Sequence, residues 1–180
     1  MSEVTVRALG EEDWQEFRAI RLAALRDSPD AFAASADAEE GFEEDFWRLR
    51  MRRSARLVAV PLDESGPAVG VVSLGQGKDD ESRVAEIFGL WVAPAARGTG
   101  VATKLVEASA DRARRDGRTH VSYWVGTDNG RAVAFASGIG FRPTDFRRPM
   151  RVTSADAGDD EEEIAMVLPL GEDRGRPDIL

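Results

Sequence analysis

The sequence predicts an α+β domain built on a mixed, mostly antiparallel sheet flanked by helices. Three observations carry that prediction. The elements run in the order β-α-α-β-β-β-α-β-α-β-β along the chain. Two pairs of consecutive β-rich runs, Arg56–Val60 with Ala68–Leu74 and Arg147–Val152 with Ile164–Leu168, read as hairpins. Between them, the apolar run Ala85–Val92 passes through a glycine-bearing turn into a long amphipathic helix, which makes the sheet mixed.

Length and composition bound the rest. At 180 residues the chain reads as a single domain over 1–170, large enough for a sizeable core, with 171–180 a disordered tail. Apolar residues make up 42% and charged ones 32%, the balance of a globular domain, and no apolar run approaches the roughly 18 residues of a membrane helix. The start, MSEVTVRALGEED, has no basic and apolar leader, so the cytoplasm is the expected compartment and no membrane partner is expected. Zero cysteines exclude disulfides, thiolate metal sites and a cysteine nucleophile, and no metal is called for. The single histidine, His120, has no GxSxG elbow to serve a nucleophilic serine. A net charge of −9 argues against nucleic acid as a partner, although the acidic runs Asp37–Asp45 and Asp156–Glu163 read first as solvated surface.

Taken in order, Val4–Arg7 is a short strand. The helix after it has Glu11, Glu12 and Asp13 in its first turn, where the dipole favours acids, and an inner stripe of Trp14, Phe17, Arg21, Ala24 and Leu25. Asp27-Ser28-Pro29-Asp30 breaks it. Ala31–Glu40 is ambiguous between loop and one helical turn, and Phe42–Arg53 is a second helix with Phe42, Phe46, Leu49 and Arg53 on one side. Pro61–Pro67 joins the first hairpin, Gly75–Arg83 is a polar turn, and Pro94 ends the strand Ala85–Val92 because proline cannot donate to a ladder. Ala102, Leu105, Val106, Ser109 and Ala113 then mark one face of a helix that stops at Gly117. Thr119–Val125 is a strand and Asn129–Ser137 a short helix closed by Gly138-Ile139-Gly140-Phe141.

The turn before the long helix carries the chemistry. A strand that feeds a helix through Gly98 and Gly100 leaves backbone N–H groups free at the positive end of the helix dipole, a place that holds phosphate. The Walker and dinucleotide patterns do not fit, because Lys104 follows Thr103 and Thr103 takes the third glycine place. Arg97-x-x-Gly100-x-Ala102, preceded by Leu90-Trp91-Val92-Ala93-Pro94, does fit another pattern. It resembles the acetyl-CoA-binding motif of the GNAT superfamily of N-acetyltransferases. Asn129-x-x-Ala132 followed by Gly140-Phe141 resembles a second motif of that superfamily, and the element order agrees over roughly Val4–Leu170.

The resemblance implies an acyl-CoA N-acyltransferase fold with acetyl-CoA as co-substrate. It implies cofactor contacts from Leu90, Trp91, Val92, Arg97, Gly98, Thr99, Gly100, Val101, Ala102 and Thr103, joined by Asn129 and Arg131 at the second helix start; Asn129 also reads simply as an N-cap. Ile87, Leu90 and Val92 are spaced three and then two, so a β-bulge near Phe88-Gly89 would restore the strand's phase; an ordinary core strand with a packed glycine is the alternative. Glu86 is the polar exception in that strand. Either it is a buried general base with a raised pKa, as the resemblance implies, or it points outward or pairs with an arginine.

One departure stands out: the superfamily's tyrosine falls here on Ala136, behind Phe135, so the usual general acid is missing. Tyr123 reads as core and His120 as a surface or capping residue. Trp91 and Trp124 fit either core packing or the wall of the acceptor cleft. With no cysteine, direct attack by a primary amine in a ternary complex is expected, the acceptor being a small molecule or a peptide. The stretches that would shape its site, Arg18–Arg53 and Phe146–Val152, mix Arg21, Arg26, Arg147 and Arg148 with acids and name no substrate. An acyl-CoA-binding module without turnover is the competing reading, and a homodimer stays open.

Overall fold

The computed structural model describes residues 3–63, 65–75, 83–150 and 161–171. Its elements are β1 (Val4–Leu9), α1 (Trp14–Asp27), α2 (Ala36–Glu40), α3 (Glu44–Arg53), β2 (Ser54–Pro61), β3 (Gly70–Gly75), β4 (Val84–Val92), α4 (Val101–Arg115), β5 (His120–Gly126), α5 (Gly130–Ile139), β6 (Arg142–Pro149) and β7 (Glu162–Pro169). The strands form one sheet in the order β1-β2-β3-β4-β5-β7-β6. Every pairing in it is antiparallel except β4 with β5, which α4 connects and which therefore runs parallel. The turn expected at Gly75–Arg83 lies outside the described residues over 76–82, as do most of the acidic loop before β7, the end of the last hairpin's first strand at Val152, and the tail from 172 onward.

Each face of the sheet has its own core. On one face Val72, Leu74, Ala85, Ile87 and Val121 lie under Leu105, Val106 and Ala113 of α4 and Ala136 of α5. On the other, Val58, Val71 and Trp91 lie under Phe17, Ile20 and Ala24 of α1 and Trp47 and Met51 of α3. The central strands are thus covered on both sides, which is why β3 and β4 read as nearly unbroken apolar runs. Gly70 lets α4 approach closely: a Cβ there would come 2.9 Å from Leu105 Cδ1 and 3.1 Å from Val101 Cγ1.

Three expectations are corrected. The helix α3 begins at Glu44 and not at Phe42, and its packed residues are Trp47 and Met51, while Phe42 and Phe46 are exposed and lie tilted against each other with ring centroids 4.4 Å apart. Trp47 meets Phe17 edge-on at 6.0 Å, so α1 selects the buried face, and the larger indole wins over the two phenyl rings. The strand expected to begin at Arg147 begins at Arg142, and Pro143 and its charged neighbours are tolerated because β6 is an edge strand paired only with β7. His120 is neither on the surface nor a cap: it is 4% exposed, with Thr119 Oγ1 2.8 Å from Nδ1. The stretch left open at Ala31–Glu40 contains the short helix α2, which Ser35 caps by accepting from Ala38 N–H.

Candidate active site

The site starts where β4 and β5 part. Parallel pairing runs from Val84–His120 to Ile87–Tyr123 and goes no further, while β5 stays paired with β7 to its end and β4 stays paired with β3. The divergence coincides with a β-bulge. Ser73 pairs with Phe88 and Val71 with Trp91, so Gly89 and Leu90 together oppose Val72. Gly89 has φ +62°, the left-handed conformation such a bulge needs and glycine supplies without strain. The spacing of Ile87, Leu90 and Val92 had pointed to this place. Past the bulge the strand's faces exchange: Trp91 enters the core under α1, and Val92 and Leu90 turn toward α4.

At the end of β4 a single 3₁₀ turn, Pro94–Ala96, leads into Arg97 and the glycine turn. Gly98 and Gly100 have φ +77° and +86°, and a Cβ on either would meet nothing within 4 Å, so glycine is required by the backbone and not by crowding. The result is a row of unused donors. Among the described residues, the amides of Gly98, Thr99, Gly100, Val101, Ala102 and Thr103 have no hydrogen-bond partner, and the first intrahelical bond runs from Lys104 N–H to Gly100 O. These amides lie in the turn and the first turn of α4, whose dipole adds positive potential. Thr99 Oγ1 donates to Ala96 O and closes the turn; the Thr103 side chain is half-buried.

Arg97 plays a different part from its neighbours. Its Nε donates to Val92 O at 2.9 Å and its Nη2 to Asp27 Oδ2 at 2.6 Å, so the side chain ties the turn to the end of α1. Trp91 Nε1 donates to the same Asp27 oxygen at 3.0 Å. Hydrogen bonds from Trp91, Ser28 and Arg97 together hold the Asp27 carboxyl below the usual carboxylate range. The Trp91 indole is therefore a core anchor and lines no cleft.

On the α1 and α3 side of the sheet, Glu86, Phe88 and Trp124 share the face beside the splay. Glu86 is not the buried carboxylate of the first alternative: a third of its side chain is exposed, and Arg148 Nη2 lies 3.4 Å from its Oε1. Pairing with an arginine is the outcome. Arg148 in turn donates through Nε to Glu163 Oε2 at 2.7 Å and stacks over the Trp124 ring at 4.2 Å. Tyr123 points to the other face, edge-on to Phe141, where burial pushes its phenol pKa up, and buried Ala136 brings no polar group. Asn129 does cap α5, accepting from Ala132 N–H at 3.1 Å, and both it and Arg131 are exposed at the far arm of the splay.

Sequence reasoning passed over a second cluster on this face, made by Arg21, Glu39, Arg50 and Arg56. Glu39 accepts two bonds from Arg21 at 3.1 Å and one from Arg50 at 2.6 Å; burial pushes its carboxyl up, and these bonds outweigh burial and hold it low. The available signal was Arg56 itself, a charged residue opening an apolar run, which calls for the same question that Glu86 raised. A cavity between β1, β2 and α4, lined by Val6, Ala8, Leu57 and Ala108, adjoins neither cluster.

Comparison with known proteins agrees with this geometry. The model of the acetyltransferase (GNAT) family matches residues 14–141. An uncharacterized N-acetyltransferase of Archaeoglobus fulgidus is 28% identical over 148 residues, covering 80% of this chain and 93% of its own. An uncharacterized N-acetyltransferase of Methanocaldococcus jannaschii is 37% identical over 62 residues, but the match spans only 27% of that protein and 34% of this one. Among solved structures, yncA of Salmonella typhimurium, determined with its cofactor acetyl-CoA, superposes with a TM-score of 0.69 at 20% identity, covering 98% of this chain and 99% of its own.

Proposed function

The chain belongs to the acetyltransferase (GNAT) family, and from that premise we propose that it transfers the acetyl group of acetyl-CoA to a primary amine by direct attack in a ternary complex. The observation that carries the reading is the row of amides from Gly98 to Thr103 that have no partner among the described residues, at the end of the strand whose parallel pairing stops at Ile87. Six donors at a helix start suit a diphosphate, and the bound thioester supplies the acetyl group.

The residues then take distinct roles. The amides of 98–103 hold the diphosphate, and Arg97, tied to Val92 O and Asp27, positions the turn beside it. The edge of β4 beyond Ile87, freed from β5, offers main-chain groups at Leu90 and Val92 to an extended pantetheine arm. Glu86 accepts a proton from the incoming ammonium, directly or through water. The free amine attacks the thioester carbon, the C–S bond breaks, and the extra proton on the nitrogen passes through water to the departing thiolate, which leaves as the CoA thiol. Asn129 and Arg131, exposed at the start of α5, supply further cofactor contacts in this reading.

Ala136 motivates the second reading, a domain that binds acyl-CoA without turnover, since no phenol from α5 is available to protonate the leaving thiolate. Calorimetry with acetyl-CoA and with ATP, then thiol release across a panel of amines, separates the two. We expect acetyl-CoA to bind, ATP to bind more weakly and at least one amine to give steady turnover. Tight binding with no turnover on any amine would favour the second reading, and failure to bind acetyl-CoA would remove both.

A further inference from the structure

We propose that the acceptor is an amine that also carries a carboxylate, and that Arg56 and Arg21, set over the bulge of β4, hold that carboxylate. The inference rests on the reading of this cleft as the acceptor side of an N-acetyltransferase. It begins with a charge imbalance. Guanidinium groups from α1, α3 and β2 meet around one buried carboxylate, Glu39, whose oxygens are taken by Arg21 and Arg50. Among the described residues Arg56 is left without a carboxylate. Its Nη1 donates to Ser73 Oγ at 2.6 Å, its Nη2 to Arg50 O at 3.1 Å, and its Nε has no partner although the residue is only 5% exposed.

A buried donor of a charged group left unsatisfied is costly, and buried charge is normally paired. Burial and the nearby charges of Arg50 and Arg21 push the Arg56 pKa down to about 9, with Glu39 opposing them. The guanidinium stays charged at neutral pH, so the protein keeps a positive group that an anion would relieve.

The location supports a substrate role. Ser73, which holds Arg56, pairs with Phe88, and Arg56 stacks over the Phe88 ring at 5.5 Å. A Cβ on Gly89 would lie 3.8 Å from Ser73 Oγ and 3.9 Å from Arg21 Nη1. Both guanidiniums therefore border the bulge at which β4 leaves β5. Glu86 lies on the same strand face two residues before Phe88, about 7 Å along a strand. An ammonium directed at Glu86 and a carboxylate directed at Arg56 fit on one small molecule. A planar carboxylate suits the guanidinium fork, whereas a wholly cationic polyamine would meet three like charges.

The test compares matched acceptors: the standard amino acids, β-alanine and γ-aminobutyrate, each against its carboxamide, by thiol release with acetyl-CoA saturating. At least one free acid is expected to exceed its amide in kcat/KM by about tenfold or more, because the amide leaves the buried guanidinium unpaired. Arg56→Met is expected to remove that preference while binding acetyl-CoA as before, since a methionine cannot pair a carboxylate and the diphosphate cradle lies on another element. Arg21→Gln supplies the same ratio should Arg56→Met fail to fold. A merely structural Arg56 would leave the acid-to-amide ratio untouched. Acids and amides used equally, a preference that survives in the variants, or acetyl-CoA binding with no amino acid turned over or raising the melting temperature would each overturn the inference. Failure to bind acetyl-CoA would instead remove the acetyltransferase reading, and this one with it.

Discussion

Thr103→Glu separates the two roles the start of α4 can have, as a helix terminus and as a diphosphate cradle. Thr103 is the third residue of α4, its amide is one of six without a partner, and the first turn of the helix holds no acid. A glutamate there can reach back to the free amides and complement the dipole, which stabilises a helix by about 0.3–1 kcal/mol. For a chain of this size that raises the melting temperature of the ligand-free protein by roughly 1–4 °C. The same carboxylate lies on the order of 5 Å from a diphosphate held by these amides. Repulsion of one charge by two at that distance amounts to about 2 kcal/mol even at the dielectric constant of water, and more at a partly covered site. The dissociation constant of acetyl-CoA should therefore rise at least about tenfold. The difference from wild type should shrink as salt is added, because exposed charges are screened. Differential scanning fluorimetry gives the first number and calorimetry at two salt concentrations the second. A more stable variant that binds acetyl-CoA as tightly as wild type would show that the diphosphate sits elsewhere.

Glu86→Gln should lower kcat by about tenfold or more while leaving acetyl-CoA affinity intact, since it removes a base and no anchor; an unchanged pH–rate profile in this variant would take Glu86 out of the mechanism. Asp27, whose carboxyl titrates low in the folded state, contributes stability that is complete above the ordinary carboxylate range and fades as pH falls through and below it. The melting temperature of Asp27→Asn should accordingly fall less steeply than that of wild type below about pH 5, and parallel melting curves would refute the assignment. The same variant should weaken acetyl-CoA binding, because it releases the Arg97 strut. Gly70→Ala forces a methyl against Leu105 and Val101 in a closed core and should cost about 1–3 kcal/mol, seen as a melting temperature lower by roughly 2–10 °C; an unaltered melting point would mean that α4 is free to shift.

What the sequence disclosed follows from how local each feature is. Gly98 and Gly100 announce a turn because no other residue takes those φ values freely, and the bulge shows in the phase of Ile87, Leu90 and Val92 because a strand keeps step with itself. Asn129 announces a helix start for the same reason, its side chain serving an amide three residues away. What stayed hidden depends on distant partners. Phe42 and Phe46 outweigh Trp47 and Met51 in the periodicity of residues 42–53, and the position of Phe17 decides between the faces. Glu86 meets Arg148 across 62 residues of chain, and Arg56 meets Ser73 across 17. No local rule connects such pairs.

The same division accounts for a legible donor site and an obscure acceptor site. In the proposed reaction the diphosphate is gripped by main chain, so any sequence that builds the turn builds the site. In the same proposal the acceptor is held by side chains carried on α1, β2 and β4, whose meeting is a property of the whole fold. Arg148 illustrates the consequence. It lies 3.4 Å from Glu86 but only 2.7 Å from Glu163, and it stacks on Trp124. In the proposed reaction, an incoming ammonium competing for Glu86 would displace the longer of two contacts and leave Arg148 its shorter ion pair and its aromatic support. The arginine can thus hold the carboxylate oriented between turnovers and yield it without itself losing its place.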